Sequence, residues 1–165
     1  MTISVLPLVK QLGDNILADK VSNASALKII GIRTGGVWIA ELLAKHLSYN
    51  DSIGVLDISF YRDDFSRIGI DPKVQPTTLP WDVDDQHILL VDDILHSGRT
   101  IRAALDQIFD FGRPASITLA VIVDRSGREL PIQADYVGTE MNLESGQQVK
   151  LTGPDPLELV VETIK

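Results

Sequence analysis

The feature that most constrains the fold is the segment 88–100, ILLVDDILHSGRT. Four apolar residues run without a break into two adjacent carboxylates, Asp92 and Asp93, and helical spacing resumes over 100–111. An unbroken apolar run of this length is typical of a strand that is buried on both faces, as in parallel sheets covered by helices. We therefore expect an α/β fold in which this central strand delivers two acids to the carboxyl edge of the sheet.

The rest of the chain alternates in the same way. Helical spacing of apolar residues predicts three helices, over 5–20, 37–47 and 100–111. Short apolar or branched runs predict strands over 27–32, 53–60, 87–91 and 116–123, then short strands over 135–138 and 149–152 and a final edge strand over 157–164. We expect one domain over 1–165 with an open, mainly parallel, twisted sheet, helices on both of its faces, and right-handed connections.

One long segment, 61–87, has no periodicity and carries three prolines among many charges. A loop of this length inside a compact domain is more often functional than neutral. The pattern favours a lid, and a static surface loop is the alternative.

The loop after the paired acids has the chemistry of a phosphate site. Backbone N–H groups around Gly98 can face an anion at a helix start, and the hydroxyls of Ser97 and Thr100 add donors. Asp92 and Asp93 would repel a bare phosphate, but they can hold sugar hydroxyls and Mg²⁺ beside it. The alternative is purely structural, with Ser97 capping the helix and the acids solvated.

Other classes fit the residues less well. Paired aspartates after a strand also occur in response-regulator receiver domains, but those place the pair near their start, and the lysine that they need later in the chain is missing here. Walker A, dinucleotide and GxSxG signatures are absent, and the three histidines have no metal-ligand spacing.

Charge and composition restrict the kinds of partner that the chain can have. The formal charge is −8, and residues 81–165 hold the excess with fifteen acids against seven bases. Such a field disfavours a protein that coats nucleic acid, so we expect no DNA partner, and it is compatible with binding a small magnesium-bound anion. Without cysteine the chain suits a reducing cytoplasm, and without an 18-residue apolar stretch we expect no membrane partner.

Several segments together resemble a known family. Apolar residues, Asp92-Asp93, two further apolar residues and then Ser-Gly-Arg-Thr resemble the 5-phosphoribosyl 1-diphosphate motif of type I phosphoribosyltransferases. The segments 31–34, 61–64, 112–114, 123–125 and 128–132 resemble the PyrR family, which comprises pyrimidine-operon regulators with uracil phosphoribosyltransferase activity. The resemblance spans about residues 10–152 and implies the type I phosphoribosyltransferase fold with a small hood.

The resemblance also implies a site. Asp92 and Asp93 would contact the ribose hydroxyls and Mg²⁺, and residues 94–100, here called the phosphate loop, would bind the 5′-phosphate. Residues 31–36 would form a pyrophosphate loop, in which the family often strains a non-proline peptide. Residues 61–79 would form the lid, with Arg62 as a further catalytic residue, and 123–138 would form part of the hood. The substrate-binding residues would be Arg33, Thr34, Gly35, Gly36, Ile94, Leu95, His96, Ser97, Gly98, Arg99, Thr100, Arg125 and Val137.

Four positions depart from the family pattern. Ser97 replaces a threonine, His96 a tyrosine, and Gly35 and Gln133 each an arginine. The activity implied is transfer of phosphoribosyl from its diphosphate to uracil, releasing pyrophosphate and UMP, by a homodimer or higher homo-oligomer. Two alternatives accompany it: an RNA-binding attenuator that binds an mRNA leader in response to UMP, and a purine phosphoribosyltransferase.

Overall fold

The computed structural model describes residues 1–19, 26–59 and 77–164. Those ranges contain three helices: α1 (Leu6–Ala18), α2 (Gly35–His46) and α3 (Arg99–Phe111). They also contain eight strands: β1 (Thr2–Ser4), β2 (Leu27–Ile32), β3 (Gly54–Leu56), β4 (His87–Leu95), β5 (Ser116–Arg125), β6 (Tyr136–Met141), β7 (Gln147–Thr152) and β8 (Glu158–Thr163).

Five of the strands form the main sheet, in the order β3-β2-β4-β5-β6. Every neighbouring pair in it is parallel, and Ile29 of β2 lies opposite Leu89 of β4. The long apolar run therefore occupies the centre of the sheet, with its carboxyl end beside those of β2 and β5. This arrangement confirms the predicted open, parallel α/β fold.

The two faces of this sheet explain why its strands are apolar without alternation. Ile30 and Leu90 belong to a buried cluster on the face of α3, packed with Ile108. Their neighbours Ile29 and Leu89 belong to a second cluster, on the face of α1 and α2. Successive side chains of a strand point to opposite faces, so each strand needs apolar residues at consecutive positions. The prediction of helices on both faces is confirmed.

A second, smaller sheet is antiparallel, in the order β1-β8-β7. Val149 and Leu159 from this sheet are buried in the cluster beside α1 and α2. The prediction that the last strand is an edge strand was wrong, because β1 pairs with its free side. The segment 123–138, expected in the hood, belongs at both ends to β5 and β6 of the main sheet.

Strand boundaries differ from the sequence pattern where pairing overrides composition. β4 does not end at the paired acids but continues to Leu95, because Ile94 and Leu95 lie opposite Val123 and Asp124 of β5. α3 accordingly begins at Arg99, after Ser97 and Gly98. β3 is shorter than predicted and ends at Leu56. No helix in the described ranges is long and apolar enough to cross a membrane.

Candidate active site

A cavity of about 550 Å³ opens at the carboxyl ends of β2 and β4. Parallel strands bring their carboxyl ends to one edge of the sheet, and this edge is where ligands bind in open α/β folds. The residues that line the cavity are Ile32, Arg33, Thr34, Gly35, Ser59, Asp92, Asp93, Ile94, Leu95, His96, Ser97, Gly98, Thr100 and Ile101. The expected pyrophosphate loop and phosphate loop therefore face a common space.

The paired acids are fixed by the backbone. Asp92 is only 5% exposed, and its Oδ1 accepts the N–H of Asp93 at 2.9 Å. The Oδ1 of Asp93 in turn accepts the N–H of Ile94 at 2.8 Å. On the other side, a Cβ built on Gly35 would lie 2.3 Å from Oδ2 of Asp93. The Asp93 carboxylate thus packs directly against Gly35, and in this chain, which lacks the arginine of the family pattern, a side chain at position 35 would displace it.

Two helices begin at the cavity. Thr34 is the N-cap of α2, Gly98 is the N-cap of α3, and neither helix has an acid in its first turn. The positive ends of both helix dipoles therefore favour anions at this place. Gly98 has φ +94°, a left-handed conformation that glycine adopts readily and other residues rarely adopt. The Arg33–Thr34 peptide bond is cis, so an unusual non-proline peptide does occur in the loop where the resemblance implied one.

The phosphate loop is covered on its outer side by residues 128–130, here called the outer segment. Ser97 O accepts the N–H groups of Glu129 and Leu130 at 2.9 and 3.0 Å. Arg128 donates to His96 O and forms an ion pair with Asp124. Partial burial, followed by the nearby Arg125, lowers the pKa of His96 below 6.5, which favours the neutral imidazole.

The donor set fits Mg²⁺ delivered by a substrate. No group of three or more potential metal ligands occurs in the described ranges, so those residues supply no complete protein cage. Mg²⁺ commonly takes one or two carboxylates and completes its shell with water and substrate phosphates. Asp92 and Asp93, both lining the cavity, match that requirement.

Most of the predicted binding residues lie together, and the remainder occupy other places. Gly36 is buried behind the cavity, where a Cβ would meet Val91 O at 2.6 Å. Arg99 is exposed, and its Nε donates to Glu129. Arg125 ends β5 and Val137 lies in β6, and neither is among the residues lining this cavity. Arg62 and most of the expected lid lie outside the described residues.

Two lining residues lie outside the segments predicted from the sequence to form the site: Ser59 and Ile101. Ser59 follows β3, and both its N–H and its hydroxyl donate to Asp57, which is 7% exposed. The sequence could have indicated Ser59, because a polar residue that follows a parallel strand lies at the edge of the sheet where ligands bind.

Comparisons with known proteins agree with this geometry. The model of the phosphoribosyl transferase domain family matches residues 3–155. The bifunctional protein PyrR of Nitrosococcus oceani is 57% identical over 150 residues, covering 90% of this chain and 84% of that protein. The bifunctional protein PyrR of Pseudomonas fluorescens strain Pf-5 is 47% identical over 158 residues, covering 95% and 94%.

Solved structures with the same fold include purine enzymes. A hypoxanthine phosphoribosyltransferase from Staphylococcus aureus superimposes with a TM-score of 0.65 at 21% identity, covering 84% of this chain and 73% of that one. A hypoxanthine-guanine phosphoribosyltransferase from Bacillus anthracis gives 0.65 at 21% identity, covering 83% and 79%. At this identity the likeness shows the fold alone. The family match and the identity to these PyrR relatives together make this chain a type I phosphoribosyltransferase of the PyrR family.

Proposed function

We propose that the chain transfers the 5-phosphoribosyl group from 5-phosphoribosyl 1-diphosphate to N1 of uracil, releasing pyrophosphate and UMP. The observation that carries the proposal is the cavity at the edge of β2 and β4. It combines two carboxylates with two helix N-termini that face the same space. A ribose with phosphate groups at both ends matches that arrangement. Its hydroxyls can meet the two carboxylates, and its two anions can meet the two helix N-termini.

The proposed roles follow from position. The N-terminal end of α3 and the phosphate loop bind the 5′-phosphate, while Arg33 and the N-terminal end of α2 receive the diphosphate. Asp92 and Asp93 hold the ribose hydroxyls between the two anions. Mg²⁺, which we propose enters with the diphosphate, supplies charge neutralisation on the leaving group. Arg62, outside the described residues, is proposed to assist in the same neutralisation.

The reaction needs no protein nucleophile under this proposal. The C1′–O bond to pyrophosphate breaks while the bond from N1 of uracil forms, N1 loses its proton to solvent, and positive charge develops on the ribose ring in the transition state. The Asp92 and Asp93 carboxylates lie on the side of the cavity proposed for the sugar, so they stabilise that charge electrostatically. The two loops contribute by orientation, because they hold both ends of the donor while its centre reacts.

The specificity for the base is tested with a panel of five nucleobases. Uracil, orotate, hypoxanthine, guanine and adenine are each incubated with the same donor and Mg²⁺, and nucleotide formation is followed by chromatography. We expect UMP formation to exceed every other product. Turnover of hypoxanthine or guanine without turnover of uracil would overturn the uracil assignment and favour the purine alternative. An assay without donor controls for contaminating nucleotides.

RNA-leader regulation is the second candidate, supported by the word "bifunctional" in the names of the relatives. The balanced charge of residues 1–80 makes that half the better surface, and Lys10 and Lys45 are exposed there. A homo-oligomer would place two such surfaces together. Gel shifts with a pyrimidine-operon leader RNA, with and without UMP, test this candidate. Tight, UMP-enhanced binding that weakens with salt supports it, and affinity equal to that for unrelated RNA overturns it.

A further inference from the structure

Two successive carbonyl groups of the phosphate loop are held from outside the cavity. His96 O accepts a hydrogen bond from the guanidinium of Arg128. Ser97 O accepts the backbone N–H groups of Glu129 and Leu130 at 2.9 and 3.0 Å. All three donors belong to the outer segment, and none of its residues lines the cavity. The outer segment therefore contacts the loop without contacting the space where a donor would bind.

Peptide geometry gives these contacts a consequence inside the cavity. In a planar trans peptide the C=O and the N–H point in opposite directions. The peptide of His96 O carries the N–H of Ser97, and the peptide of Ser97 O carries the N–H of Gly98. With both carbonyls drawn outward, both N–H groups turn the other way. Within the described ranges neither N–H donates to a protein acceptor, and both residues line the cavity.

We propose that Arg128 is a positioning residue: by holding His96 O outside the cavity, it aims the N–H group of Ser97 at the 5′-phosphate, while the backbone of Glu129 and Leu130 orients the N–H of Gly98 in the same way. This inference rests on the proposed function, since it assumes that a phosphate occupies the loop. Arg128 is suited to the task because its planar guanidinium binds two partners at fixed angles. Nη1 donates to His96 O while Nη2 binds Asp124 Oδ1 at 2.7 Å. Asp124 thus orients the residue that orients the loop.

Simple charge attraction is the competing explanation for any effect of Arg128 on phosphate binding. The two explanations predict opposite effects of an Asp124 substitution on the affinity for phosphate. Asp124→Asn removes a negative charge near the site, so charge attraction predicts tighter phosphate binding. Positioning predicts weaker binding, because Arg128 loses the partner that fixes its orientation. Asp124 is 19% exposed at its side chain and pairs only with Arg128 among the ion pairs of the described residues.

The test measures the dissociation constant of ribose 5-phosphate by calorimetry on the whole protein, which needs no catalysis. We expect Arg128→Met to raise it about tenfold, the effect of misaligning hydrogen bonds to a charged group. Arg128→Lys should raise the dissociation constant about threefold, because one ammonium group cannot bind both partners with the fixed geometry of the guanidinium. Asp124→Asn should raise it as well. Arg102→Met is the matched control, since Arg102 lies on α3 in an exposed ion pair with Asp106 and should change nothing.

Kinetics add a second readout. Because the 5′-phosphate is held equally before and during the reaction, Arg128→Met should raise KM for the donor about tenfold and change kcat by less than about twofold. Tighter ribose 5-phosphate binding in Asp124→Asn, or unchanged binding in Arg128→Met and Arg128→Lys, would overturn the proposal. So would a wild-type protein that does not bind ribose 5-phosphate. Ribose 5-phosphate binding without uracil transfer would overturn the uracil assignment alone.

Discussion

Replacing Gly35 by alanine should damage activity while leaving the fold intact. The added Cβ would lie 2.3 Å from Oδ2 of Asp93 and 2.8 Å from its Cγ. Ordinary contact begins at 3.4 Å, so the carboxylate must move by about 1 Å. A side-chain end can move without disturbing the sheet, and alanine is compatible with the first turn of a helix. The free energy of unfolding should therefore change little.

The expected loss lies in catalysis. A displacement of about 1 Å in a group that orients the reacting sugar lowers kcat/KM by about 10²-fold. Gly36→Ala is the matched contrast, because its Cβ would meet the backbone oxygen of Val91 at 2.6 Å, and β4 cannot shift freely. That variant should lose about 1–3 kcal/mol in urea unfolding. Full kcat/KM in Gly35→Ala, or a large loss of its stability, would refute the reasoning.

Two further predictions concern stability. The lowered pKa of His96 means that the unfolded chain binds a proton more readily, so stability should fall as pH decreases from about 7 through that pKa. The urea midpoint of His96→Gln should fall less over this range, and equal slopes would contradict the assignment. Tyr136 donates its hydroxyl to Asp19, which ties the end of α1 to β6. Tyr136→Phe should lose about 1 kcal/mol in urea unfolding, and an unchanged midpoint would show that the bond contributes nothing.

Strands were predictable where their own residues form a recognisable apolar pattern. β2 was predicted at its observed bounds, 27–32, because an apolar run ends there at a glycine-rich loop. The carboxyl end of β4 was not, because the acids that interrupt its apolar pattern are held in the strand by pairing with β5. β1 has three residues, too few for a periodic pattern. The central place of β8 depends on β1 at the far end of the chain, which no local pattern reveals.

The features of the site also fall into two groups: those encoded by one contiguous segment and those that join distant segments. Asp92, Asp93 and the phosphate loop were predictable because strand, acids and helix start are contiguous in sequence. The approach of Gly35 to Asp93 joins two distant segments, so it required the fold. The hydrogen bonds from the outer segment were hidden for the same reason. Arg125 and Val137 were chosen from family resemblance, and their binding roles stay predictions.

The most direct test of the central claim compares wild type with Asp93→Asn in uracil transfer. Both proteins are incubated with labelled uracil, 5-phosphoribosyl 1-diphosphate and Mg²⁺, and UMP and pyrophosphate are quantified together. Wild type should form the two products in equal amounts. Asp93→Asn should form them at least about 10²-fold more slowly, because one carboxylate that stabilises the developing charge is gone. A full rate in Asp93→Asn would contradict the role given to the paired acids, and wild type forming no UMP would contradict the proposed reaction itself.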